Sequence, residues 1–307
     1  MSNDPLVSIL PGYRITRQIG TGAGSKIYTA VERASGIMRA VKHVVRESPE
    51  DERFLKQTEI EYEISSKIEH PNLRRIYSIH RVRKLLQVRE VLVVMEYVDG
   101  LSLEDARPNR LKTFLVLFQK VALGLDAMHT AGFVHTDIKP TNIMIAKGGI
   151  VKIIDLGQAC PLYHRKERIQ GTPDYIAPEQ VRRLALDQRT DVFNLGATMY
   201  WMLTSENYPT EIRGDETPRR RKGARSNKPL APNEHNDKIP VSLSNLVMEC
   251  CRNNPAERPE SMQQIISRLD VVQKLWNKYR TDLKSQQVKP SADLAEVAEE
   301  PSAEDDA

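Results

Sequence analysis

The chain has 307 residues, 40% of them hydrophobic and 28% charged, a composition typical of a globular protein. Its apolar runs fall far short of the roughly 18 residues of a membrane span, and an N-terminus with Asp4 and no apolar core argues against a secretion signal. A net charge of +4 is too small to imply a nucleic-acid partner, and three cysteines (Cys160, Cys250, Cys251) suit reduced thiols in a cytoplasm better than a disulfide framework.

Residues 13–46 alternate apolar and polar positions around Gly-rich turns, which predicts three strands. Ser48-Pro49-Glu50-Asp51 combines a capping hydroxyl, a first-turn proline and acids that suit a helix N-terminus. That helix is expected to run to about Glu69, where His70-Pro71-Asn72 ends it. Strands near 75–82 and 91–96 complete a small sheet lobe with one helix. From Arg110 to Thr130, Leu117, Val121, Leu125 and Met128 recur at helical spacing. Short strands at 143–145 and 151–154 flank a Lys147-Gly148-Gly149 turn, and 191–203, apolar nearly all round, predicts a buried helix.

Residues 206–240 are rich in Pro, Arg, Asn and Glu, with Arg219, Arg220, Arg221, Lys222 and Arg225 clustered. They show no apolar face, and a solvated, mobile loop is expected, with a partner-docking segment as the alternative. Helical pattern returns at 241–270 and continues at Leu269, Val272, Trp276, Tyr279 and Leu283, spaced alternately by three and four. This stripe is expected to pack on its own lobe, being too short for a coiled coil, although it too is a candidate docking surface. Residues 290–307 hold seven Asp or Glu and no Lys or Arg, the pattern of a disordered acidic tail.

Chemistry concentrates in His135-Thr136-Asp137-Ile138-Lys139-Pro140-Thr141-Asn142. Asp137 can accept a proton from an attacking hydroxyl, Lys139 can neutralise a moving phosphoryl group, and Asn142 can hold a metal that bridges nucleotide phosphates. Thirteen residues beyond Asn142, Asp155-Leu156-Gly157 offers a second metal-binding acid. Upstream, Gly20-Thr21-Gly22-Ala23-Gly24-Ser25-Lys26-Ile27 lies between two predicted strands, where glycines let N–H groups approach phosphates. A strand follows these glycines, unlike the helix of a dinucleotide-binding turn. Lys42, on an apolar strand, needs an anion or a carboxylate; Glu59, Glu61 and Glu63 on the following helix are the candidates.

The ordered series of glycine turn, Lys42, acidic helix, Met95-Glu96-Tyr97-Val98, Asp137 with Asn142, Asp155, and Ala177-Pro178-Glu179 resembles the eukaryotic-type (Hanks-type) serine/threonine protein kinases over roughly residues 13–270. Gly171-Thr172-Pro173-Asp174-Tyr175-Ile176-Ala177-Pro178-Glu179-Gln180 looks closer to bacterial members. The resemblance implies an α+β bilobal fold, with a β-sheet lobe (13–98) and a larger helical lobe (99–270). An N-terminal extension (1–12), a helical extension (271–288) and the tail (289–307) would flank it.

The resemblance also implies ATP, Mg²⁺ (or Mn²⁺), and protein substrates phosphorylated on serine or threonine. Ile19 and Gly20 through Ser25 would cover the nucleotide, and Lys42, paired with Glu61, would clamp its phosphates. Ile27, Ala40 and Met144 would sandwich adenine, Met95 would guard the back of the pocket, and Glu96 and Val98 would offer backbone groups. Asn142 and Asp155 would hold the metal, and Thr172 would join Asp137 and Lys139. Glu179 and Arg258 match a buried ion pair, and Asp191 matches an anchor of the catalytic loop.

Three departures carry expectations. Ser25 replaces a glycine, and Ser65 replaces a large apolar residue one turn after Glu61, which predicts a loosely packed helix. Thr136 stands where switchable members carry the arginine that reads a loop phosphate. Between Gly157 and Gly171 the only hydroxyl is that of Tyr163, so activity is expected not to depend on loop phosphorylation, although Arg165, Lys166 and Arg168 are candidate phosphate ligands. Two readings compete. A pseudokinase scaffold predicts loss of Lys42, Asp137 or Asp155, all of which are present; a small-molecule kinase needs a different substrate lobe, against which the Thr172–Glu179 segment argues.

Overall fold

A computed structural model of the chain describes residues 5–22, 24–212 and 229–287. The predicted strands form one antiparallel sheet of β1 (Tyr13–Gly22), β2 (Ser25–Glu32), β3 (Met38–Val45), β4 (Ile76–Lys84) and β5 (Gln87–Glu96), in the order β1-β2-β3-β5-β4. Period-two alternation on β3 sends Ala40 and Val44 into a cluster with Leu55 and Met95, and Val41 into another on the opposite face with Ala30, Leu92 and Val94. Helix α1 (Pro5–Ile9) covers that outer face through Leu6, together with Leu10 just beyond its end. No element was expected there. The inner face packs on α2 (Glu52–Lys67), which a 3₁₀ turn at Pro49–Asp51 introduces. The Asp51 carboxylate accepts the Ser48 N–H at 2.8 Å and the Ser48 hydroxyl at 3.0 Å.

Ser65 corrects the expectation of a loose helix. It is buried, and its Oγ accepts the N–H of Ile76 at 3.2 Å, so a hydroxyl ties α2 to β4 where bulk was expected to do so.

After β6 (Gly100–Ser102), α3 (Leu111–Thr130) buries Leu117, Val121, Leu125 and Met128 at the heart of the helical lobe. Short strands β7 (Phe133–Val134), β8 (Ile143–Ala146), β9 (Ile150–Ile153) and β10 (Cys160–Pro161) carry the intervening loops. Gly100 is required where β6 meets β8, because a Cβ there would come within 2.3 Å of the Ile145 carbonyl oxygen. A single turn, α4 (Pro178–Val181), leads to α5 (Gln188–Thr204), buried on nearly every side as its composition predicted.

The segment at 206–240 is only partly as expected. Tyr208 sets its ring edge-on to Tyr200 and Phe193, the Tyr200 hydroxyl donates to the Leu230 carbonyl at 3.0 Å, and Thr210 donates to the Pro173 carbonyl at 2.6 Å. Isolated aromatic and hydroxyl anchors, which have no periodicity to read, dock both flanks, and the second carries α6 (Pro232–His235). The basic cluster at 219–225 lies outside the described residues, as does the acidic tail.

Helices α7 (Val241–Cys250) and α8 (Met262–Gln287) complete the lobe. Along the α8 stripe Leu269 and Val272 are buried, whereas Tyr279 is exposed and Trp276 half-buried, so packing on the lobe weakens between Val272 and Tyr279. No described helix is long and apolar enough to cross a membrane. The three cysteines are free and buried, and burial pushes the thiols of Cys160 and Cys250 up to about 11 and about 12.

Candidate active site

The sheet and the helical lobe face each other across a cavity of about 310 Å³. Gly22, Ser25, Lys42, Asp137, Lys139, Asn142 and Asp155 line it together, although more than a hundred positions of sequence separate the first from the last. Gly22 pairs with Ser25 across the glycine turn, and Gly24 takes a φ of 67°. A Cβ on Gly24 would strike the Phe54 ring of α2 at 2.3 Å, so glycine is needed there for both conformation and space. Ala23 lies outside the described residues.

Helix phase decides between the three candidate acids. Glu61 points inward, only 1% exposed, and accepts from Lys42 Nζ at 2.7 Å. Glu59 turns to Arg81 and Glu63 to Lys67, both at the surface. Glu61 also accepts from Arg74 at 3.0 Å, a partner the sequence did not reveal. Burial opposes the charge on Lys42, but Glu61 and then Asp155, 3.9 Å away, outweigh it and raise its pKa. Burial likewise opposes the Asp155 carboxylate, and Lys42 and Arg74 overcome it, holding its pKa down.

Behind Lys42, Ala40 and Met95 are buried neighbours on paired strands, with Ile27 packed beside them and Val98 buried where the chain crosses between lobes. Met144 is half-buried on β8, and Ile19 lies more open on β1. The Val98 N–H makes no hydrogen bond among the described residues, and so is available to a ligand. The Glu96 side chain is committed to Lys152 at 2.9 Å, so only its backbone could serve adenine.

Asp137 is contacted from four sides. Its Oδ1 accepts from the Thr172 hydroxyl at 2.8 Å. Its Oδ2 receives Gln158 Nε2 at 3.1 Å and Asn142 Nδ2 at 3.2 Å, with Lys139 Nζ also at 3.2 Å. Lys139 in turn donates to the Thr172 oxygen at 2.7 Å, closing the expected triangle. Gln158 was not anticipated. Its Oε1 is buried without a partner among the described residues, and flipping the amide would set that oxygen against the carboxylate.

Thr136, just before Asp137, is a β-branched residue at φ 65°, a conformation that costs roughly 1–3 kcal/mol and persists only where surroundings impose it. They do so here. Its N–H donates to buried Asp191 at 2.7 Å, and its carbonyl accepts from Gln180 at 2.8 Å. Asp191 also accepts the His135 N–H at 2.8 Å and pairs with His129 at 2.7 Å, as an anchor of the loop should. Gln180 spans from Thr136 to Asn194 and was not anticipated either. Lower down, Arg258 makes a bidentate pair with Glu179 at 2.7 and 2.9 Å, fully buried.

Asn142 Nδ2 is spent on the carbonyl and carboxylate of Asp137, which leaves its Oδ1 for a cation. With the half-exposed Asp155 carboxylate this gives two hard oxygen donors at the cavity wall. That fits a small divalent cation completed by phosphate and water oxygens. No cluster of three or more His, Cys, Asp or Glu suited to a metal occurs among the described residues.

A family model described as the protein kinase domain matches residues 13–269. Among curated proteins, the chain is 30% identical over 282 residues to serine/threonine-protein kinase A of Synechocystis sp., covering 85% of this chain and 53% of that one. It is 28% identical over 283 residues to a probable serine/threonine-protein kinase of Clostridium acetobutylicum, covering 88% and 41%. A serine/threonine-protein kinase of Chlamydia trachomatis is 29% identical over 302 residues, covering 82% and 30%. The chain spans about half the length, or less, of these curated relatives.

Proposed function

We propose, from the premise that this chain belongs to the protein kinase family, that it is a cytoplasmic serine/threonine protein kinase using ATP and Mg²⁺, with Mn²⁺ as the alternative metal. The observation that carries the reading is the convergence on one cavity of Lys42, Asp155, Asp137 and Lys139, with Glu61 holding Lys42 and Thr172 joining Asp137 to Lys139 from behind. None of the groups a scaffold would be free to lose is missing.

Lys42, oriented by Glu61, would bind phosphate oxygens, while the glycine turn covers them with backbone N–H groups. Asn142 and Asp155 would hold the metal, which when bound offsets phosphate charge and fixes its orientation. Asp137, which already accepts from a threonine hydroxyl, would orient a substrate hydroxyl and accept its proton. Lys139 would offset the charge that develops on the transferred group. A protein substrate is favoured over a small molecule because Thr172 to Gln180 is held beside Asp137, through Gln180 to Thr136 and Asn194 to the Tyr175 carbonyl.

The test is phosphate transfer by purified protein to a protein mixture and, separately, to a metabolite panel, with Asp137→Asn as control. Phosphoserine or phosphothreonine that disappears in the variant supports the reading. Transfer confined to metabolites, or unchanged in Asp137→Asn, rejects it.

A further inference from the structure

We infer that Lys166 is a positioning residue that holds the loop after Asp155 against Asp137, supplying from within the chain the tether that a loop phosphate would otherwise provide. The inference rests on the reading of Asp137 given above. It begins with an anomaly of burial. Tyr163, Arg165, Glu167, Arg168 and Ile169 are all exposed, yet Lys166 among them is buried, 9% accessible. It makes no ion pair among the described residues. A buried ammonium without a carboxylate is costly and needs compensating acceptors.

Those acceptors lie at one point. Lys166 Nζ donates to Thr136 Oγ1 at 2.7 Å and to the Gln158 carbonyl at 2.5 Å, and the Thr136 hydroxyl donates to the same carbonyl at 2.8 Å. The three residues form a closed triangle. Gln158 is the member that reaches the reaction centre, through its Nε2 on Asp137 Oδ2. With Gln158 Oε1 unpartnered among the described residues, that contact depends on where the Gln158 backbone is held. Lys166 and Thr136 hold it.

Burial draws the Lys166 ammonium's pKa down and nearby Arg168 does the same, whereas Asp137 and Asp191 favour the charge. The sequence had offered Lys166, with Arg165 and Arg168, as a phosphate ligand. The structure removes it from that set, because its donors are turned inward, while the two arginines are exposed.

The experiment compares full-length wild type, Lys166→Met, Lys166→Arg, Gln158→Leu and the Met/Leu double variant, all phosphatase-treated. It measures kcat and KM on a protein substrate, Mg·ATP affinity by a fluorescent nucleotide, and melting temperature. Lys166→Met is expected to lower kcat at least about tenfold, since a misplaced reacting group is costly. Mg·ATP affinity should stay within about twofold, which separates positioning from loss of the nucleotide site. Lys166→Arg should recover most of the rate. The double variant should be no slower than the slower single variant, because both act through one contact.

Wild-type kcat in Lys166→Met, or a double-variant loss equal to the product of the singles, overturns the inference. Should Lys166→Met not fold, Gln158→Leu decides alone: reduced kcat at unchanged nucleotide affinity supports the tether, and wild-type turnover overturns it. Asp137→Asn separates the two levels. If it is inactive while Lys166→Met is unimpaired, only the tether falls; if it is active, the assignment of Asp137 falls as well.

Discussion

Thr172 donates its hydroxyl proton to Asp137 Oδ1 at 2.8 Å while accepting from Lys139, so one threonine joins the Gly171–Gln180 segment to both side chains proposed to act in transfer. A hydrogen bond to a charged group contributes about 1.5–3 kcal/mol. Thr172→Ala should therefore lower kcat about 10- to 100-fold, and Thr172→Ser, which keeps the oxygen, should stay near wild type. Steady-state kinetics on all three proteins checks this. Equal losses in Ala and Ser would show that the methyl group matters and the hydroxyl does not.

Asp137→Asn and Asp155→Ala should both abolish transfer but differ in nucleotide binding. Asp155 lies on the cavity wall beside Lys42 and would be a metal ligand, so its removal should weaken Mg·ATP. Asp137 is occupied by Thr172, Gln158 and Asn142, and its replacement should leave Mg·ATP affinity nearly unchanged. Titration of the fluorescent nucleotide into each variant reads the difference.

Lys42→Met should reduce turnover by orders of magnitude, because aligning phosphates is a positioning effect. Glu61→Ala should match it and also destabilise the fold, since it strands Lys42 and Arg74 without their shared carboxylate, at a cost of about 3–5 kcal/mol. Glu59→Ala and Glu63→Ala remove surface pairs only and should change stability by less than about 1 kcal/mol. Melting curves beside initial rates test the set.

The Asp191 carboxylate gives a pH signature. Burial alone would raise its pKa, but His129 and the loop N–H groups outweigh that and hold it below the ordinary value. A carboxyl depressed on folding binds fewer protons in the native than in the unfolded state. Its stabilisation is therefore present above the unfolded value near 4 and lost as pH falls through the folded pKa. The stability gap between wild type and Asp191→Asn should narrow as pH drops below about 4. Denaturant melts at stepped pH measure it, and a gap that widens on acidification contradicts the assignment.

Activity should not depend on phosphorylation of the activation loop. Thr136 brings no positive charge to the position before Asp137, and its hydroxyl is already engaged by Lys166 and Gln158. Initial rates after phosphatase treatment, with removal confirmed by mass spectrometry, should equal those before. A large loss restored by rephosphorylation at Tyr163 or Thr172 would overturn this.

Short-range spacing made much of the protein legible. Asp137, Lys139 and Asn142 lie within one octapeptide, so no tertiary knowledge was needed to group them. Individual strands and helices were legible because periodicity switches from two on β3 to helical on α3, as burying one face of a strand or helix imposes that pattern, whereas the α+β bilobal class came from the family resemblance. Spacing alone left Glu59, Glu61 and Glu63 as partners for Lys42, and the family resemblance chose Glu61. The packing of α2 under the sheet agrees, since of the three only Glu61 faces inward. Gln158, Gln180 and Arg74 had no signal of their own, and Lys166 was read only as a phosphate ligand, because polar residues are ordinarily solvated and these partners are set by packing and not by local spacing. Tyr208 is alike in this, a single anchor with no periodic neighbours. The sequence by itself determined which chemical groups were present and which local faces were apolar. The tertiary structure alone decided which buried donors found which acceptors, because satisfying a desolvated polar group depends on neighbours that only the packed lobes bring within hydrogen-bonding distance.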